Sequence, residues 1–593
     1  MRLPQIALWR PSADAVAGYT LITPAVFFLV VFFFGPILTI ILFSTTDYQL
    51  GAKAFSWIGF GNYIEMWNDS GFWTSLRNTL VYVAVVAPIS IGLGLLIALL
   101  IESAASAANF YRAIYFLPVA TTMVAMAVVW EFIMHPTAGL LNLSLNFFGV
   151  DGYIWLTDRD LVLYAICWIG IWENIGYVMV LFMAGLKGIP RDLYDAAEVD
   201  GASSAWDRFR TVTWPMLGPA TMFVVIITGV RSFKVFDTVA VLTQGGPVKA
   251  SEVLLYTIYT EGFTYFRSAY ASSLTVVFLS VVLMVTLFQA KAFESRINYD
   301  LGQLESTGGR GSGRKPSLPF AVLRHVLLLA GGIVMFTPFV WMLLTSFKPP
   351  HEVFSTELQF LPETWYAVEN YTKAMFTPFT KVPMLRFLLN GVIICGGILM
   401  LQIPISAACA YALAKLNFRG KNFIFGCVLF GILIPSQVTA IPLYLLLWYI
   451  GLLDTYWAMI LPFSVSVFAI FLFRQFFMSV PNELLDAGRL DGMNEFGVLL
   501  RVVLPASVPA IVAFSIFSVV FHWNDLFWPM IVVTSQELAP PPLGVVYFRN
   551  EELGSDYGGL MAAAVIICSP LMVAFLFAQK AFIEGISLAG IKR

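Results

Sequence analysis

The chain is 593 residues long, 59% hydrophobic and only 12% charged, with a mean hydropathy of +0.81. Soluble domains cannot bury that much apolar surface, so lipid is the solvent for most of the chain. A formal net charge of −2 with no basic stripe or tail gives no ground for a nucleic-acid partner.

Met1 to Ser12 carries Arg2 and Arg10, and the apolar run from Tyr19 to Phe43 is too long for the core of a cleavable signal. It reads as a first membrane helix whose N-terminus is cytoplasmic. Runs of roughly 20 apolar residues match a bilayer core, and backbone pairing in lipid forces them to be helical. In order they are Gly18–Phe43, Trp73–Ile101, Ala113–Met134, Leu161–Leu186, Thr221–Leu242 and Ser268–Ala290. After a break come Val322–Phe347, Phe387–Leu413, Phe423–Ile450, Trp457–Phe477, Ile511–Val533 and Leu560–Phe577. The fold class predicted is therefore an all-α polytopic membrane protein of about twelve transmembrane helices in two pseudo-repeats of about six. The break is a Gly/Ser/basic stretch without apolar periodicity, expected to be a cytoplasmic linker over 294–319 that joins halves 1–293 and 320–593.

Lysines and arginines gather in the short loops and the break, which places both termini in the cytoplasm. The longer connections of the other side are rich in Trp, Tyr, Asn, Asp and Glu. The five cysteines show no CxxC or Cys/His spacing and read as small packing residues.

One polar loop occurs twice, within 187–220 and 479–510, each after the fourth helix of its half. Asp195-Ala196-Ala197-Glu198-Val199-Asp200-Gly201-Ala202 returns as Asp486-Ala487-Gly488-Arg489-Leu490-Asp491-Gly492-Met493. A short helix ending in Asp-Gly suits a left-handed residue at its C-terminal stop. A phenylalanine (Phe209, Phe496) follows, then Pro215 and Pro219, or Pro505 and Pro509, which open the next membrane helix. The product expected is a rigid helix–turn–helix knuckle, and two copies at equivalent positions mark a twofold repeat.

These loops resemble the EAA loops of binding-protein-dependent ABC importer permeases, E-A-A-x-x-D-G-A followed by a Phe and P-x-x-x-P. The first half is also similar to the maltose-type first permease through Phe116-Leu-Pro118, Trp130, Gly139, Asn142 and Phe236-Asp237 to Thr243-Gln-Gly-Gly-Pro247. The second resembles its partner permease through Tyr411-Ala-Leu-Ala-Lys-Leu-Asn-Phe418-Arg-Gly420, Ile434-Pro435, Ile441-Pro-Leu-Tyr444 and Trp523-Asn-Asp-Leu-Phe-Trp-Pro529. The chain thus resembles two carbohydrate-importer permeases fused into one polypeptide with a type I importer fold. The resemblance implies that Asp195, Ala196, Ala197, Asp200, Gly201, Asp486, Ala487, Gly488, Asp491 and Gly492 couple to two copies of a cytoplasmic ATPase. It implies a periplasmic solute-binding protein on the other face, and ATP and Mg bound by the ATPase chains, with no cofactor in this one. Three departures stand out: Asp replaces Glu at 195 and 486, Gly488 replaces an Ala, and the first copy has an extra residue between its Gly and its Pro. The loop Ser535–Gly558, with Ala539-Pro540-Pro541-Pro542, resembles the periplasmic loop that probes the binding protein. Gly585 to Lys592 resembles the family's Gly-rich tail.

Polar groups inside spans are expensive and face a cavity or a partner. Glu173, Asn174 and Tyr177 in the fourth helix, and Trp523, Asn524 and Asp525 beside His522 in the eleventh, combine acid, amide and aromatic groups suited to sugar hydroxyls and C–H faces. They are the candidate substrate path. Arg231 and Lys234 near Asp237 are read as an internal ion pair, with an anionic substrate as the alternative. No phosphate loop G-x-x-x-x-G-K-[ST] and no Ser/His/Asp arrangement occurs, so no catalytic centre is expected in this chain, and the resemblance implies a translocation subunit of a bacterial inner membrane. The alternative is an ion-coupled secondary sugar transporter, which shares the plan of two halves of about six helices.

Overall fold

A computed structural model describes residues 13–104, 107–202, 204–294, 318–355, 359–376, 382–551 and 556–591. The linker expected at 294–319 lies almost wholly outside them. The described chain is helical, and its one β-bridge, Thr46 to Trp57, is isolated. Seven helices are long and apolar enough to cross a membrane, and five bent pairs bring the number to as many as 12.

The bends have identifiable causes. The third span of each half breaks where a proline removes an N–H from the helical ladder. Ala108–Ala120 and Met123–Ile133 meet at 98° just after Pro118, and Lys421–Ile432 and Ser436–Tyr449 meet at 99° at Pro435. The fifth spans depart from the continuous helices expected. Gly218–Phe233 stops before Lys234-Val235-Phe236, and Val508–Trp523 stops before Asn524-Asp525-Leu526, each followed by a further helical turn. The break is three residues long in each half, and polar side chains lie at it, Lys234 in one and Asn524 and Asp525 in the other.

The halves are not self-contained. The first span of the first half, Ala13–Leu29, packs on Met384–Lys415 of the second. Conversely Leu318–Thr345, which opens the second half, packs on Ala108–Phe116 and Met123–Ile133 of the first. Sequence separates the halves by position, but packing lays part of each first span against the other half as well as its own. Two hydrogen bonds from the first half hold the first span of the second, and a ring contact joins the halves beside them. Tyr115 donates its hydroxyl to Leu328 O at 3.0 Å, Trp172 Nε1 donates to Met335 O at 3.2 Å, and the rings of Phe116 and Phe575 stack at 4.5 Å.

The C-terminal segment expected as a Gly-rich tail continues the last helix, Tyr557–Ile591. The connection 535–558 is not a bare loop either. It folds into the helix Pro541–Glu551, with Leu543, Val545 and Phe548 buried, while 552–555 lie outside the described residues.

Candidate functional site

Each repeated loop folds as a knuckle, and the backbone explains its sequence. Helix Arg191–Val199 follows Pro190, and Asn482–Leu490 follows Pro481. Both end in a Schellman closure: Ala202 N donates to Ala197 O at 2.8 Å and Gly201 N to Glu198 O at 3.2 Å. Met493 N to Gly488 O at 3.1 Å and Gly492 N to Arg489 O at 3.0 Å repeat it. The turn needs a left-handed residue, and Gly201 (φ +97°) and Gly492 (φ +84°) supply it without a Cβ penalty. Gly488 is buried, yet a Cβ there would meet Val502 at 3.4 Å and Met493 Sδ at 3.6 Å, ordinary contact. Packing alone does not exclude alanine at 488.

The second arm of each knuckle begins at a capping residue. Ser204 Oγ accepts from Asp207 N at 3.0 Å, with Ser204 N returning to Asp207 Oδ2 at 3.2 Å, a reciprocal capping box. Asn494 Oδ1 accepts from Gly497 N at 2.8 Å. A π turn follows (Phe209–Thr213, Leu499–Val503), and the arm closes with Pro215 or Pro505. The chain then bends by 69° or 80° into the fifth span, which Pro219 or Pro509 begins. The first proline of each pair therefore belongs to the knuckle and not to the membrane helix. Counting from the caps also corrects the aromatic pairing, because the extra residue falls at 203. Phe496 corresponds to Trp206, not to Phe209.

The knuckles present matching outer surfaces. Val199 is 88% and Leu490 89% exposed, with Trp206 and Phe496 exposed beside them. Asp195, Ala196, Asp200, Asp486, Ala487 and Asp491 are exposed too, whereas Ala197 is half-buried. Inward fastening differs. The first copy ties Tyr194 to Thr213 at 3.0 Å, hydroxyl to hydroxyl. The second is ionic: Arg489 donates to both oxygens of Glu495 and to Asp486 Oδ1, and Tyr411 of the second span donates to Glu495. Burial pushes the Glu495 carboxyl up, but the hydrogen bonds from Arg489 and Tyr411 outweigh it and leave the group below its ordinary range.

The polar cluster of the interior sits around the fifth-span breaks. Arg231 Nη2 meets Glu173 Oε1 at 2.6 Å, and its guanidinium lies over the Tyr177 ring, 5.0 Å from the centroid. The ion pair expected to involve Arg231, Lys234 and Asp237 is thus made by Arg231 with Glu173 instead. Asp237 opens the helical turn after the break in the first half, and Asp525 lies within the break of the second. Beside them Phe236 of the first half meets Phe527 of the second, centroids 4.9 Å apart and perpendicular, with Tyr259 in ring contact with both.

Other candidates are differently placed. Asn174 Nδ2 donates to Gly170 O of its own helix at 2.8 Å, leaving its Oδ1 buried and unbonded. Trp523 packs over Gly391, whose Cβ would meet its ring at 3.0 Å. Asp525 Oδ1 accepts from Trp528 N at 3.3 Å, starting the helical turn after the break. Asn524 Oδ1 is buried without a partner. Sequence reasoning missed a further link between halves. Arg549, in the helix of the 535–558 connection, pairs with Glu131 at 2.9 Å and donates to Val241 O. No His/Cys/Asp/Glu cluster able to hold a metal occurs among the described residues.

Residues 90–299 and again 402–587 match the family "Binding-protein-dependent transport system inner membrane component". The chain belongs to this family. It carries the family unit twice, each copy containing one knuckle, so two permease units share one polypeptide. Curated relatives each match about half of it. The sn-glycerol-3-phosphate transport system permease protein UgpA of Agrobacterium fabrum is 30% identical over 48% of this chain and 97% of its own length. The arabinooligosaccharides transport system permease protein AraQ of Halalkalibacterium halodurans is 33% identical over 43% of this chain and 90% of its own. A solved bacterial ABC transporter involved in the import of alginate is similar to it with a TM-score of 0.42 and 21% identity, covering 47% of this chain and 94% of that one. Membership supports the importer reading over the secondary-carrier alternative.

Proposed function

We propose that the chain is the complete transmembrane pathway of an ABC importer for a sugar or sugar derivative, and that it resides in the bacterial inner membrane. The observation that carries this is the repeated knuckle, whose two copies share one closing turn and the same exposed apolar tips. Both face the cytoplasm, where the lysines and arginines of the short loops lie. Two ATPase subunits bind there, one per knuckle, and supply ATP and Mg. Their closure moves the knuckles as rigid bodies and rocks the helices about the shared interface. A solute-binding protein delivers substrate on the opposite face.

The acids and aromatics at the fifth-span breaks are suited to carry a polyhydroxylated substrate. Glu173, Asp237 and Asp525 are acceptors for hydroxyls, and Tyr177, Tyr259, Phe236 and Phe527 offer flat faces. Relatives named for sn-glycerol-3-phosphate and arabinooligosaccharide transport support the carbohydrate class.

The test is a pair of exposed substitutions, Val199→Asp with Leu490→Asp, in the full chain co-expressed with its ATPase. The expected result is a folded membrane protein that no longer retains or stimulates the ATPase. Undiminished coupling overturns the assignment.

A further inference from the structure

A second structural repeat lies at the other end of the bundle. Between the first and second spans of each half sits a short helix, Gly61–Asn68 in one and Ala367–Phe376 in the other. Each is pinned by an Asn-Tyr pair to the end of the span before it. Asn62 Nδ2 donates to Ser44 O at 2.9 Å and Thr46 O at 2.7 Å, while Tyr63 donates its hydroxyl to Ser44 Oγ at 2.8 Å. Asn370 Nδ2 donates to Ser346 O and Lys348 O, both at 2.9 Å, and the Tyr371 hydroxyl lies 3.1 Å from Ser346 Oγ.

Both helices are inverted relative to a helix on a water-facing surface. The asparagines are buried, and the outer stripes are apolar. Around the first helix Phe60, Ile64 and Trp67 are 72%, 64% and 66% exposed, and around the second Trp365, Val368 and Phe376 are 63%, 75% and 65% exposed. Glu65 pairs with Arg267 and Lys373 with Asp556, while Glu369 stays exposed beside Val368.

What covers the stripes follows from continuity with the spans. The first helix ends one residue before the second span, Ser70–Glu102, begins. Trp73, in the first turn of that span, is edge-on to Trp67 at 4.9 Å and donates Nε1 to Trp67 O at 2.9 Å. Trp73 and Leu80 are exposed along the same helix, a face that lipid must cover. The exposed face thus continues from the span onto the first short helix, with Arg77 set between Trp73 and Leu80 one turn inside the span. Tryptophan and phenylalanine at the level where a span leaves the hydrocarbon are the residues of the headgroup boundary.

We infer that both helices lie in the interfacial layer of the leaflet opposite the knuckles, their stripes among the upper acyl carbons. There they act as floats that hold the first spans at a fixed height. This needs only that the chain spans a membrane and stands apart from the importer reading.

The experiment places a spin label at Ile64→Cys, Val368→Cys or Val199→Cys in the full chain, reconstituted in phosphatidylethanolamine/phosphatidylglycerol vesicles. The unsubstituted chain corrects for labelling of native cysteines. Labels at 64 and 368 should collide with oxygen several-fold more than with a water-soluble nickel complex, and the label at 199 should do the reverse. Nickel access at 64 and 368 equal to that at 199 overturns the proposal. So does immobilisation of these labels only on addition of the solute-binding protein, which would make the stripes a protein-docking surface. Loss of bromolipid quenching in Trp67→Phe is an independent reading, and unchanged quenching counts against the proposal.

Discussion

Arg489 grips Glu495 through two nitrogens, at 2.7 and 3.1 Å, and the corresponding places in the other knuckle hold Glu198 and Ala205. The second knuckle is locked by charge, and the first by hydroxyls and a capping box. Arg489→Ala is expected to loosen only the second knuckle, by about 1–2 kcal/mol, since charge-assisted hydrogen bonds to a part-exposed pair are lost. Hydrogen exchange across 482–500, compared with 191–213, measures it.

The same lock sets a pH dependence. The Glu495 carboxyl titrates below its ordinary value of 4.5 in the folded knuckle. Its stabilisation is therefore complete above that value and disappears as pH falls through the folded one. Glu495→Gln should flatten the acid-side rise in exchange of the second knuckle. The first should keep its own, because hydrogen bonds from Ser204 hold Asp207 below its usual range.

Asn62→Ala or Asn370→Ala strips the hydrogen bonds from two carbonyls at a span end. A cost of about 2–3 kcal/mol at either site follows from leaving buried acceptors unsatisfied. The midpoint of thermal aggregation in detergent should fall for each variant, and Asn62→Asp, which cannot donate from that atom, should not restore it.

Glu173→Gln leaves the Arg231 guanidinium beside Lys234 without its acid. Expression and thermal midpoint should drop, and Glu173→Gln with Arg231→Gln should recover both, because removing a part-buried pair inside the membrane costs less than leaving one charge of it unpaired. Uptake into vesicles should stay low in the double variant if the pair touches substrate.

Glu131→Gln should weaken the tie that holds Pro541–Glu551 of the second half against the first. Limited proteolysis near residues 549–558 should accelerate several-fold. The exchange Glu131→Arg with Arg549→Glu should slow it again, while each single charge reversal should not.

The spans and knuckles were legible because one local rule decides each: a run long enough to cross lipid, or an Asp-Gly that stops a helix. The three-residue breaks at 234–236 and 524–526 carry polar groups that the sequence shows, but polar groups in a span point as readily to a cavity as to a broken helix. The packing of each first span on the other half was invisible because an apolar face looks alike whichever half receives it. Asn62-Tyr63 and Asn370-Tyr371 are only two residues each in unlike surroundings, and Glu131 and Arg549 belong to different halves. The pairing of Phe209 with Phe496 failed for a simpler reason, a one-residue insertion whose place only the helix caps reveal.

The shared first helices carry a consequence for assembly. The first span of each half packs partly on the other half, so 1–293 and 320–593 taken apart would each leave part of a packing surface uncovered. Two separately synthesised polypeptides with these bounds should find each other in the membrane and co-purify, and cutting the tether in the finished protein should release neither. The covalent join then serves stoichiometry and pairing, and cohesion rests on clasped helices.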